Sequence, residues 1–160
     1  RMTETNMFMI RKYEAQYQNR LFQFLEICLP QSGRKFEPNG RHKMYNNVPG
    51  YFEHFWCLFD GEDMIGTAAL KKLDSGRCEL KALYLLEKYH KKGLGRRLLN
   101  TAIQKAQQDG YEEMYLDTLS SSKKAIRLYE KTGFVKTERY NDNYMAEIFM
   151  ILKLGRFNGS

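Results

Sequence analysis

The chain has 160 residues, a formal net charge of +7, 42% hydrophobic and 28% charged side chains. That length and balance fit one soluble globular domain able to bury its own core. They exclude a membrane span, since no apolar run approaches roughly 18 residues, and the basic excess comes without a zinc finger, heptad or aromatic RNA-binding signature, so neither membrane nor nucleic acid is an expected partner.

The N-terminal RMTETN lacks the apolar stretch of a secretory leader. Cys28, Cys57 and Cys78 are an odd number of cysteines, each set in an apolar segment. They read as buried free thiols, so a reducing, cytoplasmic location is expected.

In chain order, Met7 to Tyr13 reads as a strand. Glu14 to Leu29 reads as a helix with Tyr17, Leu21, Phe24, Leu25 and Cys28 on its apolar face, ended by Pro30. Residues 30–50 hold all three prolines and three glycines, and read as a loop with one helical turn near Arg41 to Tyr45. A long irregular segment within a compact domain is often functional. Phe55 to Phe59 and Met64 to Lys72 read as strands joined through Asp60-Gly61, a hairpin signal. Arg77 to Leu86 is a third apolar strand. A glycine-bearing turn, His90 to Gly95, then opens a helix reaching Asp109. Its stripe is Leu94, Leu98, Leu99, Ala102, Ile103 and Ala106, and Gly110 suits its stop. Glu112 to Leu119 reads as a strand, and Ser121 or Ser122 caps a helix to Lys131. Phe134 to Tyr140 and Ala146 to Leu154 are the last strands, joined by Asn141-Asp142-Asn143. This order indicates an α/β domain with a mixed sheet.

The glycine turn carries the chemistry. A helix opening on Gly93 and Gly95 exposes backbone N–H groups at its positive end, with Lys91, Lys92, Arg96 and Arg97 around it. That is an anion site suited to phosphate. It is not a Walker loop, because Arg96-Arg97 follows Gly95, and it lacks the third glycine of a dinucleotide fingerprint. What remains is a loop whose successive N–H groups wrap a pyrophosphate.

The pair of motifs His90-x-x-Gly93-x-Gly95 and Ala125-Ile126-Arg127-Leu128-Tyr129-Glu130-Lys131-Thr132-Gly133-Phe134 resembles the GNAT superfamily of N-acetyltransferases. Histidine replaces the family's usual Arg or Gln, and Ser122 stands where Asn is common. The resemblance covers about residues 7–154 and implies a single GNAT domain across residues 1–160. Its fold would be a mixed, mostly antiparallel sheet of about seven strands with helices on both faces.

The resemblance further implies acetyl-CoA as co-substrate, no metal, and a small-molecule amine acceptor such as an amino acid, in a monomer or homodimer. Transfer would be direct, within a ternary complex. The cofactor would lie on Leu83, Tyr84 and Leu85 and on the loop His90, Lys91, Lys92, Gly93, Leu94, Gly95 and Arg96, with Ser122, Ala125 and Tyr129 from the second motif. Glu79 would be the general base and Tyr129 the acid for the departing thiolate. Arg34 and Arg41 would fork an acceptor carboxylate, with Tyr140 and Asn143 as further contacts. A protein or peptide acceptor, or a silent acetyl-CoA sensor, are the alternatives. His42, His54 and His90 have no metal-ligand spacing.

Overall fold

The computed structural model describes residues 7–156. Strands β1 (Phe8–Lys12), β2 (His54–Asp60), β3 (Asp63–Lys72), β4 (Arg77–Leu85), β5 (Glu113–Thr118), β6 (Val135–Thr137) and β7 (Ile148–Lys153) build one seven-stranded sheet of order β1-β2-β3-β4-β5-β7-β6. Every neighbouring pair is antiparallel except β4 with β5. The helices are α1 (Gln18–Gln31), α2 (Val48–Tyr51), α3 (Leu94–Gln108) and α4 (Lys123–Thr132).

The central strands β2 and β3 are buried along nearly their whole length. A strand covered on both faces needs apolar residues at every position rather than at alternate ones, as HFWCLFD supplies. Trp56 and Leu58 join Leu98 and Leu99 of α3 in one core. Their neighbours Phe55, Cys57 and Phe59 join Leu21, Leu25 and Leu29 of α1 in the other. The two-residue period of the strand thus sorts one apolar run into two layers.

Helices α1, α3 and α4 end with the same device. A glycine with positive φ (Gly33, Gly110, Gly133) follows, and the next residue's N–H reaches back to a carbonyl of the last turn. For α1 this corrects the expected stop at Pro30. The proline lies inside the helix, which runs on to Gln31 and closes where Arg34 N–H donates to Leu29. The start is also later than expected, because Ala15–Tyr17 forms a separate 3-10 turn.

Two other stretches differ from expectation. Residues 30–50 hold a 3-10 turn at Lys43–Asn46 and then α2, and bury His42, Tyr45 and Val48 against the α1 layer. The last two strands are not a tight hairpin. Strand β6 stops at Thr137, and residues 138–147 form an irregular loop before β7.

Strands β4 and β5 pair at only three positions, Arg77 with Glu113, Cys78 with Met114 and Glu79 with Tyr115, and then part. Strand β4 is bent just beyond that point. Thr67 pairs with Tyr84 but Ala69 with Lys81, so β4 carries one extra residue, and Ala82 sits at φ +52. This is a β-bulge, a device that redirects a strand. The Thr67 hydroxyl clamps it by donating to the Ala82 carbonyl at 2.6 Å.

Candidate active site

A cleft of about 930 Å³ opens where β4 and β5 part. Its donor end is walled by Leu83, Tyr84 and Leu85 of β4, by His90, and by Ser122, Ala125 and Tyr129 at α4. Lys91, Lys92, Gly93, Leu94, Gly95 and Arg96 follow His90 into the start of α3. Lys91 at φ +69 and Gly93 at φ +76 turn the chain so that the helix begins abruptly. Among the described residues, no group accepts a hydrogen bond from the N–H of Leu94, Gly95 or Arg96, as expected for a first helical turn. These are free donors for an anion.

His90 plays a different part from its neighbours. Its N–H donates to Glu87, and its ring Nε2 lies 3.0 Å from the Leu85 carbonyl. The backbone donor expected there is therefore already used, and the ring instead braces the end of β4. Arg97 turns away from the loop, one guanidinium nitrogen reaching the Phe8 carbonyl at 3.3 Å. Ser122 precedes α4 but makes no side-chain cap bond.

The acceptor end departs further from expectation. Glu79 is 3% exposed and does not line the cleft. One carboxylate oxygen receives Tyr140 Oη at 2.5 Å and Asn141 Nδ2 at 3.0 Å, and the other lies 3.8 Å from Lys81 Nζ. A carboxylate so engaged braces the point where the strands separate. Tyr140, expected on the acceptor, is spent on this bond, and burial followed by the Glu79 charge raises its phenol far above the usual value.

Two carboxylates among the described residues line the cleft, Glu87 next to β4 and Asp117 of β5; Asp117 is the one on the strand that parts from β4. Asn141 Nδ2 donates to it at 2.6 Å and Asn143 Nδ2 at 3.2 Å. Sequence reading passed over Asp117, although an acid at the end of the alternating EMYLDT, where the strand leaves its partner, was a visible signal. Lys81 also lines the cleft. Burial alone would lower its ammonium value, but Glu79 and Asp117 outweigh burial and raise it.

Tyr129 is 6% exposed, packs on Phe134 at 5.6 Å between ring centres, and lines the same cleft as Asp117. Burial, with Tyr84 adding to it, pushes its phenol well up, so it holds its proton throughout the neutral range. Arg34 and Arg41 both line the cleft, Arg41 with its guanidinium 3.7 Å from Glu37.

The cysteines are buried and free, and burial pushes each thiol up to about 12, so none is an activated nucleophile. Away from the cleft, ligand atoms of Glu53, His54 and Asp109 lie within 4.8 Å of one another. They are already partnered: His54 Nε2 lies 2.7 Å from Asp109, and Tyr111 donates to Glu53 at 2.6 Å.

A family model described as the acetyltransferase (GNAT) family matches residues 19–134, which include both the parted strands and the two motifs. The chain belongs to the GNAT acetyltransferase family. It is 33% identical over 104 residues to the uncharacterized N-acetyltransferase YsnE of Bacillus subtilis, covering 62% of this chain and 69% of that protein. It is 39% identical over 83 residues to the uncharacterized N-acetyltransferase YjgM of Escherichia coli, covering half of each. The solved GNAT-family acetyltransferase of Staphylococcus aureus Mu50 superposes with a TM-score of 0.84 at 21% identity, covering 92% of this chain and 99% of that one. The open seven-stranded mixed sheet is thus the GNAT fold, and the chain is counted among the acyl-CoA-dependent N-acetyltransferases.

Proposed function

We propose that this GNAT domain transfers the acetyl group of acetyl-CoA directly to the primary amine of a small metabolite, an amino acid being the favoured class. The observation that carries the reading is the juxtaposition of Asp117 and Tyr129 in one cleft, between parted strands that lead to a helix start with unused N–H donors.

In this reading the pyrophosphate sits on the N–H groups of Leu94 to Arg96, with Lys91, Lys92 and Arg96 adding charge. The pantetheine arm enters between β4 and β5, and the thioester carbonyl meets backbone N–H near Leu83 to Leu85, where an oxyanion is stabilised. Asp117 takes the proton of the acceptor ammonium, since only the neutral amine is a nucleophile. The amine nitrogen attacks the carbonyl carbon, the C–N bond forms and the C–S bond breaks. The departing thiolate takes the Tyr129 proton, and the attacking nitrogen's surplus proton restores the tyrosine, leaving a neutral amide and free CoA thiol, while Asp117 returns its proton to solvent. Glu79 supports this chemistry from outside the cleft, holding Tyr140 and Asn141 so that Asn141 steadies Asp117.

The test is release of free CoA thiol from acetyl-CoA over a panel of amino acids, polyamines, aminoglycosides and peptides, together with acetyl-CoA binding by calorimetry. Acetyl-CoA binding and acceptor-dependent thiol release are expected, strongest with amino acids. Failure to bind acetyl-CoA overturns the reading. Release with peptides alone overturns the small-metabolite part.

A further inference from the structure

We infer that His42 and Arg34 together form a carboxylate seat in the acceptor half of the cleft, so that the acceptor is an α-amino acid read at both its amine and its carboxylate. This rests on the acetyltransferase reading above and narrows its acceptor.

His42 is 7% exposed and lines the cleft. Its Nδ1 accepts the Glu37 N–H at 2.9 Å. That bond fixes the tautomer, because Nδ1 must be the acceptor and Nε2 must carry the hydrogen. The ring is held in place by Phe36 and Tyr45, at 5.8 and 6.3 Å between ring centres. No described residue accepts from Nε2. Yet no fully enclosed side-chain nitrogen or oxygen among the described residues lacks a partner. The Nε2–H is therefore not sealed inside the protein, and the residue that carries it lines the cleft. Burial, with Arg41 next, lowers the ring's proton affinity, so at neutral pH it offers an uncharged, fixed donor.

Arg34 is half-buried on the same wall and, among the described residues, faces no carboxylate in an ion pair. Its charge is felt at His42, Tyr45, Cys28 and Tyr129. It thus lines the cleft within electrostatic range of both His42 and the phenol assigned to the departing thiolate. One guanidinium and one neutral N–H opening on the same cleft match the single charge and two oxygens of a carboxylate. Two other cations of the cleft are committed elsewhere, Lys81 to Glu79 and Arg41, well exposed, to Glu37, and Lys123, Lys124 and Arg127 line it from the α4 side. Asp117 supplies the opposite charge on the facing strand. A carboxylate on Arg34 and His42 with an amine toward Asp117 is the charge pattern of an amino acid, and the α-amino acid is its smallest form. A polyamine would meet Arg34 with like charge.

The experiment compares kcat/KM for the common α-amino acids with that for their matched carboxamides, in the wild type, His42→Phe and Arg34→Gln. Phenylalanine preserves the packing between Phe36 and Tyr45, and Arg34→Gln serves if His42→Phe does not fold. The wild type should favour the acid over the amide by about tenfold or more. Either substitution should collapse that ratio while leaving the KM for acetyl-CoA unchanged, and His42→Gln, which retains an N–H, should recover part of it. Equal use of acid and amide by the wild type overturns the proposal, as does a parallel loss of both in His42→Phe. Turnover with polyamines alone overturns the carboxylate seat and leaves the acetyltransferase reading standing. Absence of acetyl-CoA binding overturns both.

Discussion

The Tyr140 hydroxyl donates to Glu79 at 2.5 Å across 61 positions of sequence, at the last residue of β4 still paired with β5. The bond ties the 138–147 loop to the fork in the sheet. Tyr140→Phe removes one donor from a buried carboxylate and leaves Asn141 in place. The expected cost is about 1–3 kcal/mol of unfolding free energy, measured by urea denaturation. The fall in turnover should be smaller than that of Asp117→Asn.

Tyr129→Phe should separate catalysis from packing. No described residue accepts from its hydroxyl, and its ring contact with Phe134 survives the change. Turnover is expected to drop by about 10²-fold or more, with acetyl-CoA affinity and unfolding midpoint nearly unchanged. Unchanged turnover in a stopped-flow thiol assay would remove the tyrosine from the mechanism.

The two glycines of the turn should respond in opposite directions. Gly93 sits at φ +76, so Gly93→Ala has room for a methyl group but strains the backbone, at about 1 kcal/mol. It should also weaken acetyl-CoA binding by misdirecting the helix start. At Gly95 no positive φ is needed, and an added Cβ would meet Leu128 at an ordinary 3.6 Å. Gly95→Ala should raise stability by up to about 1 kcal/mol through helix propensity. Thermal unfolding with and without acetyl-CoA measures both effects.

The neutral state of His42 gives stability a pH dependence of known sign. Its folded value lies below the ordinary 6.5. As pH falls past about 6.5 the unfolded chain takes up a proton that the folded chain refuses, so stability is lost in acid. The contribution is complete above 6.5 and disappears as pH falls through the folded value. The unfolding midpoint should therefore decline less steeply between about pH 7.5 and 5.5 in His42→Phe than in the wild type.

The fold was largely legible because its signals are local. Periodicity located α3, and Gly110 marked its end. Pro30 misled because proline loses only one N–H near a helix C-terminus, and Gly33 three residues on was the stronger stop. At the cleft, backbone features were legible from glycine spacing, whereas polar partners were not. Glu79, Tyr140, Asn141 and Asp117 meet only through strand order, and a bond spanning some sixty residues leaves no local trace. His42 was weighed only as a metal ligand, since its fixed tautomer depends on the Glu37 backbone folding over it.

A sheet whose middle strands pair three times and then diverge is an unfinished sheet. Beyond Glu79 and Tyr115 two strand edges face each other across a gap, and an edge of that kind invites any extended amide-bearing chain. A ligand with amides along its length would enter as a temporary eighth strand. Its binding would then resemble the last step of folding: of the amide hydrogens in Leu80 to Leu85 and Leu116 to Thr118, those facing the gap rather than β3 or β7 would exchange quickly in the free protein and slowly in the complex. The unfolding temperature would climb with ligand concentration.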